Sequence, residues 1–307
     1  MPSAADVQIV EVGPRDGLQS DAVTFSVEQK VAFAREVALA GLRRVEVASF
    51  VNPKRVPQMA GAEDVLAGIA RLRDSEGLDI APIGLVLNAR GWDRAAATDV
   101  AEINLVVAAS EGFAQHNSGM SSDDTLAVVD QVAPLAAAAG VRTSVTVSVA
   151  FGCPYDGEVP VGRVTAVAER CAAAGIDELA IADTIGVGVP ADVRARLRAV
   201  RQTIGPKVAL RAHFHNTRNT GYANALAALE EGASALDASL GGIGGCPFAP
   251  KATGNIATED LAFMLERSGV NTGVDLDRLL AAAGWLETQL GRPVPSLVSK
   301  AGLFPAA

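Results

Sequence analysis

Val208-Ala-Leu-Arg-Ala-His-Phe-His-Asn216 is a strand-like run that ends in polar side chains, and it carries two of the three histidines in the chain. Alternate side chains of a strand share a face, so His213 and His215 point to one side and Phe214 to the other. Two imidazoles at one strand end form half of a metal site. Histidines that are merely hydrogen-bonded in the core or at the surface fit the same pattern, so the other strand ends must decide between these interpretations.

This run is one of eight short β-branched segments that alternate with longer segments rich in Ala and Leu. Such alternation predicts βα units, and eight units predict a closed (β/α)8 TIM barrel. No Gly/Ser-rich linker divides the chain, so we expect residues 1–307 to form one domain, with additional helices from about residue 255. The predicted strands are Val7–Val12, Arg44–Ala48, Ile83–Asn88, Glu102–Ala108, Thr143–Ala150, Glu178–Ala182, Val208–His215 and Ala235–Leu240. The predicted helices are Ser26–Ala40, Ala62–Arg73, Trp92–Ala97, Ser122–Ala139, Val161–Ala174, Ala191–Thr203, Gly221–Glu231, Thr258–Arg267 and Leu276–Leu290.

The composition excludes several classes of protein. The chain has 26 Lys and Arg residues against 35 Asp and Glu residues, a formal charge of −9, and no basic block, so nucleic acid is not an expected partner. No apolar stretch reaches the ~20 residues that span a bilayer, which excludes a membrane protein, and no secretory signal is evident. Three cysteines without a Cys-X-X-Cys motif indicate a reducing environment. We therefore expect a soluble, cytoplasmic protein.

Three other predicted strands also end in charged residues. The first leads into Gly13-Pro-Arg-Asp-Gly17, where Asp16 is a hard oxygen ligand and Arg15 a fixed cation. The second strand carries Glu46 and the sixth is followed by Asp183. Each has a structural alternative, because Pro, Asp and Gly form turns, a strand carboxylate can face outward, and Asp caps helices. In a parallel barrel, however, these positions are where active sites lie.

A glycine-rich loop, Gly241-Gly-Ile-Gly-Gly-Cys246, follows the last predicted strand. A loop of this kind can close over a substrate, and the thiol of Cys246 could then exchange a proton. Glycine-rich loops are also often purely structural. Beyond it, the side-chain oxygen of Asn255 is a plausible ligand for a hard cation.

Four potential metal ligands thus fall on one end of the predicted barrel: Asp16, His213, His215 and Asn255. Two imidazoles and two oxygen ligands, without a thiolate, suit Mg²⁺ or Mn²⁺ with positions left for a substrate, and Zn²⁺ is the alternative ion. The coincidence of four ligands favours a metal site over isolated structural histidines.

With these motifs assembled, the chain resembles 3-hydroxy-3-methylglutaryl-CoA lyase, a member of the DRE-TIM metallolyase superfamily. The resemblance covers nearly the whole chain. It rests on Val10-Glu-Val-Gly-Pro-Arg-Asp-Gly-Leu-Gln19, Ser49-Phe-Val-Asn-Pro-Lys-Arg-Val-Pro-Gln-Met59, Gly152-Cys-Pro-Tyr155, Asp183-Thr-Ile-Gly-Val-Gly188, His213-Phe-His215 and the Cys246 loop through Gly254-Asn-Ile-Ala-Thr-Glu-Asp260. It implies a divalent cation on Asp16, His213, His215 and Asn255, functional roles for Arg15, Glu46, Asp183 and Cys246, and frequent homodimers.

The reaction implied by the resemblance is retro-Claisen cleavage of a 3-hydroxyacyl-CoA, most simply 3-hydroxy-3-methylglutaryl-CoA to acetoacetate and acetyl-CoA. His213, with Asp183 as a proton relay, is the candidate base for the C3 hydroxyl. Arg15 could stabilise the enolate that follows bond cleavage, and Glu46 could hold Arg15 in place. Cys246 is the candidate acid that protonates the enolate carbon.

Two departures from the family pattern concern the substrate. Where these lyases continue His-X-His with Asp-Thr-Tyr-Gly-Gln, this chain reads Asn216-Thr-Arg-Asn-Thr220, which adds the cation Arg218; Ser20-Asp21 replaces the usual Asn-Glu. The acyl group could therefore differ, and citramalyl-CoA would fit the same chemistry. The motifs are also compatible with a Claisen synthase, a metal-dependent aldolase and a catalytically silent barrel that binds an acyl-CoA.

Overall fold

Eight parallel strands close into a barrel in which each strand pairs with the next along the chain and the first pairs with the last. The computed structural model describes residues 5–245 and 254–305. The strands are β1 (Gln8–Glu11), β2 (Arg44–Ser49), β3 (Ala81–Val86), β4 (Glu102–Ala108), β5 (Arg142–Ser148), β6 (Glu178–Asp183), β7 (Ala209–Phe214) and β8 (Ala235–Ala238). The prediction of a (β/α)8 barrel is confirmed, and each predicted strand agrees with the observed strand to within two residues at either end.

Helices form the outer layer. They are α1 (Val27–Leu39), α2 (Ala62–Glu76), α3 (Ala89–Ala95), α4 (Glu111–Ser118), α5 (Ser122–Ala138), α6 (Val161–Ala173), α7 (Pro190–Ile204), α8 (Gly221–Glu230), α9 (Thr258–Arg267), α10 (Leu276–Leu290) and α11 (Val298–Ala301). In the part of the chain that the structure describes, no helix is long and apolar enough to cross a membrane.

Two helices escaped the sequence analysis, α4 and α11. Helix α4 spans eight mostly polar residues, so its hydrophobic periodicity is weak; its boundaries come from Ser110, whose side chain accepts from the N–H of Phe113, and from Gly119 in the left-handed region. His116 lies in this helix and is exposed.

The helices after β8 complete the outer layer where the barrel closes. Helix α10 packs against α1 and α9. Trp285 of α10 meets Phe33 of α1 with ring centroids 5.8 Å apart, and Phe25 approaches both rings at 6.5 Å. This aromatic cluster supports the strand β1 to β8 seam from outside, where the turn after β1 and the loop after β8 meet.

Candidate active site

A short helical turn over Gly13–Gly17 ends β1 and places Arg15 and Asp16 at the C-terminal mouth of the barrel. Its close packing explains the glycine at position 13, because a Cβ there would lie 2.5 Å from Oε1 of Glu11. That Glu11 oxygen accepts the N–H groups of Gly13 (2.8 Å) and Leu240 (2.9 Å), and the other oxygen accepts the hydroxyl of Thr258 (2.6 Å). Glu11 therefore ties the turn after β1 to the segments on either side of the glycine-rich loop.

Asn255 reaches the same mouth through backbone pairing with the end of β7. The segment forms a bridge between His215 and Asn255, with the N–H of Asn216 donating to Gly254 (3.1 Å) and the N–H of Ile256 donating to Phe214 (3.2 Å). Two residues 40 positions apart in sequence are thereby held side by side, a proximity that the strand pattern alone could not indicate.

Asp16, His213 and His215 form a cluster whose potential ligand atoms all lie within 4.8 Å of one another. The two imidazole rings have centroids 5.2 Å apart. Asn255 joins this cluster, because its Nδ2 donates to Oδ2 of Asp16 at 2.8 Å. The structure thus brings together all four residues that were selected as potential metal ligands.

The donor set suits a divalent cation. The Nδ2 group of Asn255 donates to Asp16 and to the carbonyl of Ile243, which leaves Oδ1 pointing elsewhere; this buried oxygen has no hydrogen-bond partner in residues 5–245 and 254–305. Nδ1 of His215 is likewise buried without a partner in that part of the chain. A buried acceptor without a partner costs about 1–3 kcal/mol, so coordination would satisfy atoms that the protein itself leaves unsatisfied.

The charge states also favour a cation. Burial would raise the pKa of Asp16, but the charges of Arg15, His213 and His215 and the hydrogen bond from Asn255 together outweigh it and lower this pKa to about 2. Burial, together with the nearby His213, lowers the pKa of His215 to about 4. At neutral pH the cluster therefore contains an ionised carboxylate and a neutral imidazole, the forms that bind metal ions.

Arg15 is held by carboxylates on both sides. Nη1 donates to Asp16 at 2.9 Å and Nη2 donates to Glu46 at 2.5 Å. The second oxygen of Glu46 accepts from Asn104 at 3.2 Å, and Asn104 in turn accepts from Thr146 at 3.0 Å. These contacts place the guanidinium beside the metal-ligand cluster in one orientation. They confirm that Glu46 faces the barrel interior.

His213 has a carboxylate partner. Its Nδ1 lies 3.2 Å from Oδ2 of Asp237, which is the residue in register with it on β8. Burial opposes protonation, but the hydrogen bond and charge of Asp237 outweigh it and raise the pKa of His213.

Asp183 lies at the end of β6 and is fully buried. Its two oxygens accept the N–H groups of Val187 (3.0 Å) and Gly188 (2.8 Å), so the carboxylate organises the loop that follows the strand. Burial raises its pKa, against those hydrogen bonds and the nearby charges of His213 and Arg218. Asp183 is thus near the site, with its contacts directed to the backbone.

Cys246 lies outside the described residues, but the approach to it is visible. Gly244 adopts φ +103°, and a Cβ there would lie 2.8 Å from Nδ2 of Asn255 and 3.0 Å from Cα of Gly17. Only glycine lets the loop pass this close to the ligand cluster. The next residue, Gly245, accepts a hydrogen bond from the hydroxyl of Ser20 at 3.2 Å, so the described part of the loop runs beside the turn that carries Arg15 and Asp16.

Sequence reasoning missed three residues that support the site: Glu11, Asn104 and Asp237. All three are buried and stand in short apolar strands, β1, β4 and β8. A polar residue within such a strand is itself a signal, since buried polar groups need partners. The sequence could have flagged these positions but not their partners.

A closed parallel barrel with a cluster of carboxylate, imidazole and amide side chains at its C-terminal mouth has the arrangement expected of a metal-dependent barrel enzyme. Residues 6–285 match the model of the HMGL-like family. The chain is 44% identical to an (R)-citramalyl-CoA lyase of Chloroflexus aurantiacus, over 96% of this chain and 95% of the relative. It is 40% identical to a hydroxymethylglutaryl-CoA lyase of Bacillus subtilis, over 96% of this chain and 97% of the relative.

A solved structure agrees with these relatives. An HMG-CoA lyase from Acinetobacter baumannii, in complex with coenzyme A and 3-methylmalate, superposes with a TM-score of 0.92 at 37% identity, covering 100% of this chain and 99% of that chain. The protein belongs to the HMGL-like family and is a carbon–carbon lyase.

Proposed function

We propose that this protein is a divalent-metal-dependent lyase that cleaves 3-hydroxy-3-methylglutaryl-CoA to acetoacetate and acetyl-CoA by retro-Claisen chemistry. The observation that carries the proposal is the cluster of Asp16, His213 and His215, with the unpartnered oxygen of Asn255 beside it. Relatives named as lyases of this thioester, and a related structure that holds coenzyme A, support an acyl-CoA substrate.

Asp16, His213, His215 and Asn255 would hold the cation. Mg²⁺ or Mn²⁺ suits this oxygen and nitrogen set, with Zn²⁺ as the alternative. When bound, the ion would act as a Lewis acid that orients the substrate and makes its hydroxyl more acidic.

The remaining steps belong to the protein's own side chains. Arg15, fixed by Glu46 and Asp16, stands where it can stabilise negative charge on the thioester oxygen once the C2–C3 bond breaks. Its Nε is buried and makes no hydrogen bond within the described part of the chain, so this N–H is left without an acceptor. His213 is the candidate base for the C3 hydroxyl only while its ring nitrogen is not bound to the ion; otherwise Asp183, which lies near it, is the acceptor. Cys246 is the candidate acid for the enolate carbon.

Citramalyl-CoA is the second candidate substrate, because a relative at 44% identity carries that name. Its carboxylate lies one carbon closer to the hydroxyl-bearing carbon than in the methylglutaryl thioester. The chain differs from the methylglutaryl lyase pattern at Arg218, whose Nη1 donates to the carbonyls of Ile185 (3.1 Å) and Gly186 (2.8 Å) at the barrel mouth. This anchored cation is the residue through which we expect the acyl group to be distinguished.

The test is acetyl-CoA release from both thioesters by the purified full chain, with Mg²⁺, with Mn²⁺ and after chelation. Faster metal-dependent cleavage of the methylglutaryl thioester supports the first candidate, and faster cleavage of citramalyl-CoA supports the second. In the latter case Arg218→Tyr, which restores the residue of the methylglutaryl lyases, should lower the preference. Failure to cleave either thioester with any ion would contradict both candidates.

A further inference from the structure

Asp237 lies between the cluster of candidate ligands at the C-terminal mouth and a group of charged residues deeper in the barrel. It lies on β8 with a buried side chain, in register with His213 on β7. Oδ2 is 3.2 Å from Nδ1 of His213, and Oδ1 is 3.4 Å from Nε of Arg211. Arg211 is in turn directed at two carboxylates deeper in the barrel, Glu102 at 3.6 Å and Glu178 at 3.4 Å. The contact between Arg211 and Asp237 is an ion pair without a hydrogen bond. One carboxylate therefore lies between a candidate metal-ligand histidine and a buried guanidinium.

A carboxylate only accepts hydrogen bonds, so the imidazole nitrogen that faces it must carry the proton. This places the proton of neutral His213 on Nδ1 and leaves Nε2 with a free lone pair for the ligand cluster. We propose that Asp237 is a positioning residue that holds His213 in the Nδ1–H tautomer, and that Arg211 fixes the orientation of Asp237. The expected effect on metal binding rests on the proposed function, whereas the assignment of the His213 tautomer does not.

Arg211 makes the proposal unusually easy to test. A guanidinium is positively charged and only donates, so in Asp237→Asn its charge favours the amide oxygen on the side of Arg211, and the amide N–H₂ then faces His213. The imidazole then has to accept at Nδ1 and carries its proton on Nε2, where it blocks the ligand position. Asp237→Ala removes the acceptor without imposing this wrong tautomer. The nearly isosteric Asn variant should therefore be more damaging than the Ala variant, the reverse of what a purely structural role predicts.

The first readout is the tautomer of each histidine in the metal-free protein, measured by long-range ¹H–¹⁵N correlation at alkaline pH. The chain has three histidines, so three spin systems suffice. His116 is an internal reference, because its Nδ1 lies 2.7 Å from the carbonyl of Gly112 and must donate there in every variant. A His213→Gln spectrum assigns the signals. We expect Nδ1–H for His213 in the native protein and Nε2–H in Asp237→Asn, and an unchanged His213 tautomer in that variant would overturn the proposal.

The second readout is Mn²⁺ affinity, from the electron paramagnetic resonance signal of the free ion. Loss of a partner behind a ligating histidine typically weakens metal binding about 10–100-fold, and we expect this for Asp237→Asn, with a smaller loss for Asp237→Ala. Asp237→Glu, which keeps an acceptor, should retain the native tautomer and most of the affinity. Asp156→Asn removes a carboxylate from the same end of the barrel, where it accepts the N–H of Gly112 at 2.7 Å, and should leave affinity unchanged.

The outcomes separate this proposal from the proposed function. An Ala variant that binds Mn²⁺ as weakly as the Asn variant, or more weakly, contradicts the positioning role. A native protein that binds no divalent ion contradicts the proposed function instead, and the tautomer spectra then still decide the role of Asp237.

Discussion

The two ends of the barrel use similar side chains for opposite purposes. At the N-terminal end, the strands begin with charged residues that neutralise one another: Arg44 contacts Glu102 at 2.8 Å and Glu178 at 2.6 Å, and Arg142 contacts both glutamates at 3.3 and 3.2 Å. Arg211 approaches the same pair from inside. Both carboxylates in this ionic network have guanidinium partners, so their charges are compensated within the network.

At the C-terminal end, the charges and acceptors are left incomplete. Arg15 is shared between Asp16 and Glu46, while Asn255 and His215 keep buried atoms without partners in the described residues. A cavity of about 440 Å³ opens at the N-terminal end, lined by the paired charges of Arg44, Glu102, Arg142 and Glu178. Buried guanidinium Nε atoms without a hydrogen-bond partner in the described residues occur at both ends, in Arg15 as in Arg44 and Arg142. The C-terminal end is distinguished by the unpartnered acceptors of Asn255 and His215 beside the carboxylate of Asp16, and not by cavity volume.

The pKa values of two glutamates show the difference between the two ends. Burial would raise the pKa of Glu178, but the charges of Arg211, Arg44 and Arg142 outweigh it and lower this pKa to about 2. Glu11, at the other end, accepts only neutral N–H and O–H donors, and burial raises its pKa to about 8. The N-terminal end thus stabilises ionised carboxylates, whereas the C-terminal end contains a carboxyl group that burial keeps protonated at neutral pH.

The largest effect is expected from a substitution in the ligand cluster at the C-terminal end. His215→Ala should abolish tight Mn²⁺ binding and lower kcat by about 10³-fold, because a Lewis acid contributes several kcal/mol to catalysis and 1.36 kcal/mol corresponds to a factor of ten. His116→Ala, the same substitution at the exposed histidine, is the control and should leave both unchanged. Titration of Mn²⁺ and steady-state kinetics measure the two effects; native-like activity of His215→Ala would remove this residue from the site.

A smaller effect is expected from a substitution in the ionic network at the N-terminal end. Glu178→Gln leaves buried guanidinium groups incompletely neutralised, and removal of one partner from a buried ion pair costs about 3 kcal/mol of folding stability. Urea unfolding of the metal-free protein measures this loss. Mn²⁺ affinity should stay close to the native value, since Glu178 touches none of the four candidate ligands and Glu102 remains as a partner of Arg211. A large loss of affinity without a loss of stability would show that the two ends do not have separate roles.

The smallest expected effect is a pH dependence of folding stability that differs between the two ends. The folded pKa of Glu11 lies above its ordinary value of 4.5, so its contribution to stability is complete below about pH 4.5 and is lost as the pH rises towards about 8. Glu259, with a pKa raised by burial to about 7, acts in the same direction. For Glu11 the loss has a ceiling of about 5 kcal/mol, from 1.36 kcal/mol per pKa unit.

Glu11→Gln tests the contribution of Glu11 to the pH dependence of stability. Gln can accept the two N–H groups at one atom and donate to Thr258 from the other, so it mimics the protonated acid without titrating. Stability measured by urea unfolding between pH 5 and about 9 should fall less steeply in this variant than in the native protein. Glu178→Gln is the comparison, because the folded pKa of Glu178 is lowered and its contribution is lost only as the pH falls from about 4.5 towards about 2. Equal slopes for Glu11→Gln and the native protein would contradict the assignment.

The eight strands and nine of the helices were predictable because hydrophobic periodicity is a local property. The meeting of the four candidate ligands was also predictable, since each stands at or near a strand end and a parallel barrel gathers those ends on one face. The polar helix α4 was missed because it buries little surface, and only its capping interactions define it.

The sequence by itself determined the barrel, its strand order and the residue types available at the catalytic end. Only the tertiary structure decided which of these residues meet. It paired Asn255 with His215, placed Asp237 behind His213, and directed the oxygens of Asp183 to the backbone N–H groups of Val187 and Gly188. The physical reason is that a hydrogen bond depends on distances of a few tenths of an ångström between atoms far apart in sequence, and periodicity carries no information at that scale.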